Sequence, residues 1–116
     1  MRALIERIEE GKLYIDGSLK ESVSHGLLVY IAFTVGDDIN TIHKMCDKII
    51  KLRIFEDENH KMNKSIKDIN GEILLISSFS LYGDTKGNNR PSFVKSLGYN
   101  DAYPLWTIFS KELSSD

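Results

Sequence analysis

The run Leu27-Leu28-Val29-Tyr30-Ile31-Ala32-Phe33-Thr34-Val35, bounded by Gly26 and Gly36, limits the fold of this chain more than any other segment. It is close to continuously apolar, yet it falls well short of the ~18 residues a membrane span needs. Unbroken apolarity over that length predicts a central strand buried on both faces. Such a strand needs neighbours, and the flanking sequence supplies them. Residues 1–8 alternate, with Ala3 and Ile5 on one side and Leu4, Glu6 and Ile8 on the other. Leu13-Tyr14-Ile15 runs into Asp16-Gly17, a pair suited to the positive φ that both central positions of a type I′ turn require. Residues 12–15 and 18–23 are therefore predicted to form a hairpin. Residues 72–79, Glu-Ile-Leu-Leu-Ile-Ser-Ser-Phe, predict a second largely apolar strand beside the first.

The period changes after Gly36-Asp37-Asp38, which ends the strand and offers an N-cap. Ile42, Met45, Cys46, Ile49, Ile50 and Leu52 recur at three- and four-residue steps, the apolar face of an amphipathic helix. Cys46 lies on that face and reads as a buried structural thiol. His43 has no partner His or Cys at ligand spacing, and His25 and His60 are likewise isolated in turn-like contexts, so no metal site is predicted. Arg53-Ile54-Phe55 reads as a short strand before a polar turn, and Asn70-Gly71 as a hairpin-type turn. A last helix is predicted to begin near Asn100 or Asp101, with Pro104 in its first turn. Its apolar stripe is Ala102, Leu105, Trp106, Phe109 and Leu113. The order β-β-β-β-α-β-β-loop-α predicts an α+β fold, a curved and mostly antiparallel sheet with two covering helices.

At 116 residues the chain fits one domain, residues 1–116, and 41% hydrophobic content is enough for a core. A single cysteine excludes an intramolecular disulfide. Charge arrives by Arg2, Glu6 and Arg7, too early for the apolar segment of a signal peptide. These features predict a soluble, cytoplasmic protein with no membrane association. The net charge of −2 argues against nucleic-acid binding by overall attraction. Its distribution is uneven. Seven basic residues against four acidic ones lie between Lys44 and Lys67, and Lys86, Arg90 and Lys95 stand against Asp84 alone. A local basic face of this kind suits phosphates, and a solvated surface of mixed charge is the plainer reading.

The distinctive polar content follows the second apolar strand: Ser77, Ser78 and Ser80, then Leu81-Tyr82-Gly83-Asp84-Thr85. Hydroxyls and freed backbone N–H groups at a strand end suit an acyl or ester site. A serine nucleophile needs a base within hydrogen-bond reach, and no His or Glu adjoins these serines. On chemistry alone they read first as backbone caps.

Several clusters in one order resemble the D-aminoacyl-tRNA deacylases, also called D-tyrosyl-tRNA deacylases. They are Met1-Arg2-Ala3-Leu4-Ile5-Glu6-Arg7-Ile8, Gly26-Leu27-Leu28-Val29, Arg53-Ile54-Phe55-Glu56-Asp57, Lys61-Met62-Asn63, Gly71-Glu72-Ile73-Leu74, Ser77-x-Phe79-x-Leu81-Tyr82-x-Asp84-Thr85 and Arg90-Pro91-Ser92-Phe93. The resemblance spans the chain and implies that family's fold, here as a partial β-barrel. It implies a homodimeric cytoplasmic enzyme that needs no cofactor or metal. The enzyme hydrolyses the ester joining a D-amino acid, or glycine, to the 3′ end of tRNA. Main-chain groups and the terminal 2′-hydroxyl of the tRNA carry the catalysis.

The family's Ser-Gln-Phe-Thr site maps onto Ser77, Ser78, Phe79 and Ser80, with serine in the Gln and Thr slots. Arg7 matches an arginine that helps hold a cross-subunit loop, and Lys86 and Arg90 match a basic loop for the tRNA acceptor end. The family also carries Asn-x-Gly-Pro-x-Thr, whose Gly–cis-Pro pair rejects L-amino acids. Neither Pro91 nor Pro104 follows a glycine. The resemblance therefore predicts a chain about two strands short that lacks this filter and attacks L-aminoacyl-tRNA as well. A second reading stays open: a catalytically impaired homologue that serves as a dimeric RNA- or protein-binding module.

Overall fold

The computed structural model describes residues 1–115. In chain order the elements are β1 (Arg2–Ile8), β2 (Gly11–Ile15), β3 (Ser18–Val23), β4 (Gly26–Ala32), α1 (Ile39–Lys51), β5 (Phe55–Glu56), β6 (Met62–Lys64), β7 (Glu72–Ser77), a 3₁₀ turn (Phe79–Tyr82) and α2 (Tyr99–Ser115). The strands form a three-stranded sheet, β1-β4-β7, and two ribbons, β2-β3 and β5-β6. β1 pairs with β4, β2 with β3 and β5 with β6, all antiparallel, whereas β4 and β7 are parallel. A parallel pair needs a crossover, and α1 with the β5–β6 ribbon supplies it. The α+β class and the mostly antiparallel pairing follow the sequence expectation. The sheets do not close into a barrel among the described residues.

β4 organises the core, although it is not equally buried on both faces as its composition predicted. Leu27, Val29 and Ile31 are at most 1% exposed and pack with Ile42, Cys46 and Ile49 of α1 and Phe109 and Leu113 of α2. Leu28 and Tyr30, on the other face, are only partly buried. Both helices cover the first face. The second is covered near Leu74, where the start of the β2–β3 ribbon arrives through Gly11 and Val23. Glycine at position 26 is a packing requirement, because a Cβ there would sit 1.8 Å from the Glu72 carbonyl oxygen. That close approach sets the β4–β7 register.

Local signals explain most element ends. Asp16 and Gly17 hold φ of 51° and 80°, as the hairpin turn between β2 and β3 demands. Asp38 caps α1 in a reciprocal box: its carboxylate accepts from the Thr41 N–H at 3.0 Å, and its own N–H donates to Thr41 Oγ1 at 3.3 Å. The Cys46 thiol points at the Phe109 carbonyl, 3.8 Å away, and His43 meets Glu112, so α1 and α2 are tied by core and surface contacts.

Three local expectations are corrected. The strand expected over residues 53–55 lies at Phe55–Glu56, paired with β6 around a polar turn. Asn70 does take positive φ, 51°, but no hairpin follows. The Gly71 N–H closes the turn onto Ile66 O, and the Glu72 N–H reaches His25 O, which delivers β7 to β4 instead of β6. Finally, α2 begins at Tyr99 on the Gly98 carbonyl, which accepts from the Ala102 N–H at 2.9 Å. Pro104 is thus in the second turn, where its missing N–H leaves Asn100 O without the usual partner.

Candidate active site

The β4–β7 ladder sets Ser77 opposite Ile31 at the end of β7. One more bond, from the Ser78 N–H to Ile31 O at 2.8 Å, holds the chain as it leaves the sheet. It then tightens into the 3₁₀ turn, with the Leu81 N–H on Ser78 O and the Gly83 N–H on Ser80 O. The hydroxyls of Ser78 and Ser80 pair with each other at 2.7 Å. They do not cap the backbone, which corrects the first chemical reading of the serines. The N–H groups of Phe79 and Ser80 begin a helical turn, so they have no i−3 or i−4 partner within it. Among the described residues neither donates to a protein acceptor. Two adjacent backbone donors therefore lie open at the strand end.

Beside them is a cavity of about 530 Å³. Ser77 and Phe79 form one wall, Phe93 stands at the side, and Tyr99, Tyr103 and Trp106 of α2 form the other wall. The Phe79 and Phe93 rings meet edge to face with centroids 5.0 Å apart. No carboxylate or imidazole lines this cavity, so the chemistry available here is hydrogen bonding by main chain and hydroxyls. A larger groove of about 750 Å³ lies between α2 and the β7 side of the core, lined by Ile50, Ile66, Ile73, Trp106 and Leu113. It contains none of the candidate residues.

An arginine missed in the sequence braces the 3₁₀ turn. Arg2 Nη1 donates to Leu81 O at 2.9 Å, and the guanidinium carbon lies 4.5 Å from the centre of the Tyr82 ring. Tyr82 is buried, and desolvation together with the Asp37 carboxylate pushes its phenol above the ordinary value, with Arg2 opposing. Asp37 in turn accepts from the amino terminus of Met1 at 2.9 Å and from the Thr34 N–H at 2.8 Å. The start of β1 thus fastens the turn that carries Phe79 and Ser80. The signal was available only in register: position 2 pairs with Ala32, at the β4 end where Ser77 emerges.

Arg7 lies at the opposite end of β4 from Ser77. It pairs across from Leu27, four residues along β4 from Ile31, and its Nη1 donates to Ile54 O at 3.2 Å. The structure therefore does not bring Arg7 together with Ser77, Ser78, Phe79 and Ser80. Lys86 and Arg90 stand in a loop closed by a pair of bonds between Asp84 and Ser92, each 2.8 Å. The Asp84 carboxylate accepts the Lys86 N–H, and Gly87 supplies a positive φ of 76°. The loop starts just after the 3₁₀ turn and ends one residue before Phe93. The loop that carries these charges is joined to the cavity wall at Phe93.

Residues 4–116 match the family model described as D-Tyr-tRNA(Tyr) deacylase. The chain belongs to this deacylase family. Hydrolysis of the ester bond of D-aminoacyl-tRNA is the activity that membership assigns to it. A D-aminoacyl-tRNA deacylase of Lactobacillus acidophilus is 45% identical over 116 residues, covering 100% of this chain and 80% of the relative. One from Clostridium novyi is 42% identical over 109 residues, covering 94% and 73%. Among solved structures, a c-Myc DNA unwinding element binding protein superposes with a TM-score of 0.93 at 28% identity, over 99% of this chain and 77% of that one. A structure described as a probable eukaryotic D-amino acid tRNA deacylase has a TM-score of 0.80 at 18% identity, over 96% and 65%, which speaks to the fold alone. In this deacylase no described helix is long and apolar enough to cross a membrane.

Proposed function

We propose that this deacylase hydrolyses its ester at the end of β7, with the N–H groups of Phe79 and Ser80 as the oxyanion donors. Water adds to the ester carbonyl, and negative charge grows on the carbonyl oxygen. Two preorganised donors there stabilise the transition state more than the ground state. The C–O bond to the ribose then breaks, the ribose oxygen takes a proton, and free D-amino acid and tRNA leave. The terminal 2′-hydroxyl beside the ester moves the proton, a role no side chain lining the cavity fills. The observation that carries this reading is the pair of adjacent N–H groups without a protein acceptor, the first of them on Phe79, which lines the cavity. Ser77 shapes the rim, the paired hydroxyls of Ser78 and Ser80 support the turn that carries the donors, and Lys86 and Arg90 meet acceptor-end phosphates. Arg7, whose Nη1 donates to the Ile54 carbonyl, helps hold a loop of the second subunit in the homodimer.

The working form is a homodimer of a single deacylase-like unit, in the cytoplasm where its tRNA substrate is found. Leu4, Tyr14, Ile15 and Leu19 support the dimer, since each is about half exposed on β1 to β3. Substrate chemistry separates main-chain from serine catalysis. The paired change Ser78→Ala and Ser80→Ala is expected to keep turnover within roughly tenfold, less than the ~10²–10³ lost with an oxyanion donor. D-Tyr-tRNA ending in 2′-deoxyadenosine is expected to resist hydrolysis. Abolition of turnover by the alanine pair, with the deoxy substrate cleaved normally, overturns the assignment.

A further inference from the structure

The first two turns of α2 present a feature that ester hydrolysis leaves unused. Tyr99 and Tyr103, one helical turn apart, place their ring centroids 5.5 Å apart at an interplanar angle of 33°. They are 76% and 53% exposed, which is unusual for two large rings lining a cavity. Phe79, 61% exposed, and Phe93 face the same space from the catalytic side, with Trp106 behind. A cavity of about 530 Å³ is within the range of small-ligand sites. Its wall is aromatic, its uncharged polar groups include the hydroxyls of Ser77 and Ser96, and the loop bearing Lys86 and Arg90 springs from its edge. Exposed aromatic faces near cations are the physical signature of single-stranded nucleic-acid binding. The rings take bases of any sequence, and the cations take the phosphates.

We propose that Tyr99 and Tyr103 form a stacking platform for an unpaired base of the acceptor end, with its phosphates directed toward Lys86 and Arg90. This rests on the assignment of aminoacyl-tRNA as substrate and specifies which part of it the cleft takes. Both tyrosines line the same cavity as Phe79, the first of the two open N–H donors, so a base stacked there would bring the 3′-terminal ester toward them. Binding energy from a non-reacting part of the substrate thereby orients the reacting carbonyl.

The test is binding of uncharged RNA, which requires no hydrolysis. Trp106, the only tryptophan in the chain, lines the cleft and reports occupancy by its fluorescence. The full chain is titrated with an RNA minihelix that ends in a single-stranded 3′ extension, and with a blunt-ended minihelix of the same duplex. The extension is expected to quench Trp106 saturably and to bind more tightly than the blunt end. Changing Tyr99→Ala and Tyr103→Ala together should weaken that binding about 5- to 100-fold, the range seen for loss of one stacked base. Tyr99→Phe with Tyr103→Phe, which keeps both rings, should bind as the unaltered chain does. Lys86→Ala with Arg90→Ala should flatten the salt dependence. Equal binding of blunt and extended RNA, or no effect of the alanine pair, overturns the platform. So does a change in sedimentation coefficient on mutating the tyrosines without a change in RNA affinity, because a second copy would then cover the cleft. If extended RNA binds as described but D-aminoacyl-tRNA is not hydrolysed, the platform stands and the hydrolytic reading falls. Hydrolysis without preference for the extension gives the reverse.

Discussion

Replacing Arg2 by alanine removes two interactions from the turn that carries the proposed oxyanion donors. The first is a charge-assisted hydrogen bond to Leu81 O at 2.9 Å, and the second is the guanidinium over Tyr82 at 4.5 Å. Hydrogen bonds to charged groups contribute about 1.5–3 kcal/mol, and exposure of this one puts it at the low end. A cation over an aromatic face adds ~0.5–1 kcal/mol at exposed sites and more when the ring is desolvated, as Tyr82 is at 6% exposure. The expected loss is about 2 kcal/mol, or roughly 8 °C in Tm for a chain of this size. Thermal unfolding by circular dichroism measures it. Two further readouts separate bracing from general stability. Arg2 counteracts burial and Asp37 at the Tyr82 phenol, so its removal should raise that phenol further above its ordinary value of 10.0, seen by ultraviolet titration. Because the raised value favours the neutral form, the stabilisation is complete below pH 10 and declines as pH rises through the folded-state value. Turnover should fall at temperatures where the variant is fully folded, because Phe79 and Ser80 are less firmly placed. Lysine at position 2 should recover part of the Tm, as it keeps the charge but not the planar fork. An alanine variant with unchanged Tm, phenol titration and turnover refutes the bracing role.

Phe109 is fully buried between the helices and beside Phe33, so Phe109→Ala should cost about 3–5 kcal/mol, measured by denaturant unfolding. The Glu72 carboxylate is held below its ordinary value of 4.5 by the N–H and then the hydroxyl of Ser24, with bonds of 3.0 and 2.7 Å. Its depressed value means the stabilisation is complete above pH 4.5 and is lost as pH falls through the lower folded-state value. Acid unfolding curves of Glu72→Gln and the unaltered chain should therefore converge toward low pH.

Much of the fold was legible because local chemistry decided it. Asp16-Gly17 needs positive φ, the three-and-four spacing of Ile42, Cys46 and Ile49 makes a helical face, and residues 27–32 are too apolar to lie anywhere but the sheet centre. The serine-rich strand end was legible as a polar break after an apolar strand. What remained hidden depends on register and on long-range packing. Alternation in β1 puts Arg2 and Arg7 on opposite faces of the sheet, but does not show which end of β4 each approaches. That distinction decides which arginine braces the site. Likewise, Asn70-Gly71 signals a turn, while the partner of the next strand is set by the Glu72–His25 bond and the close approach at Gly26. The aromatic cleft joins Phe79 and Phe93 to a helix that starts at Tyr99, and no sequence spacing records that meeting.

The most direct test of the central claim is multiple-turnover hydrolysis of D-Tyr-tRNA by the purified, folded chain at enzyme concentration far below substrate. The account predicts steady release of D-tyrosine and of tRNA that can be charged again. Release no faster than in buffer, with the fold verified in the same sample, contradicts it.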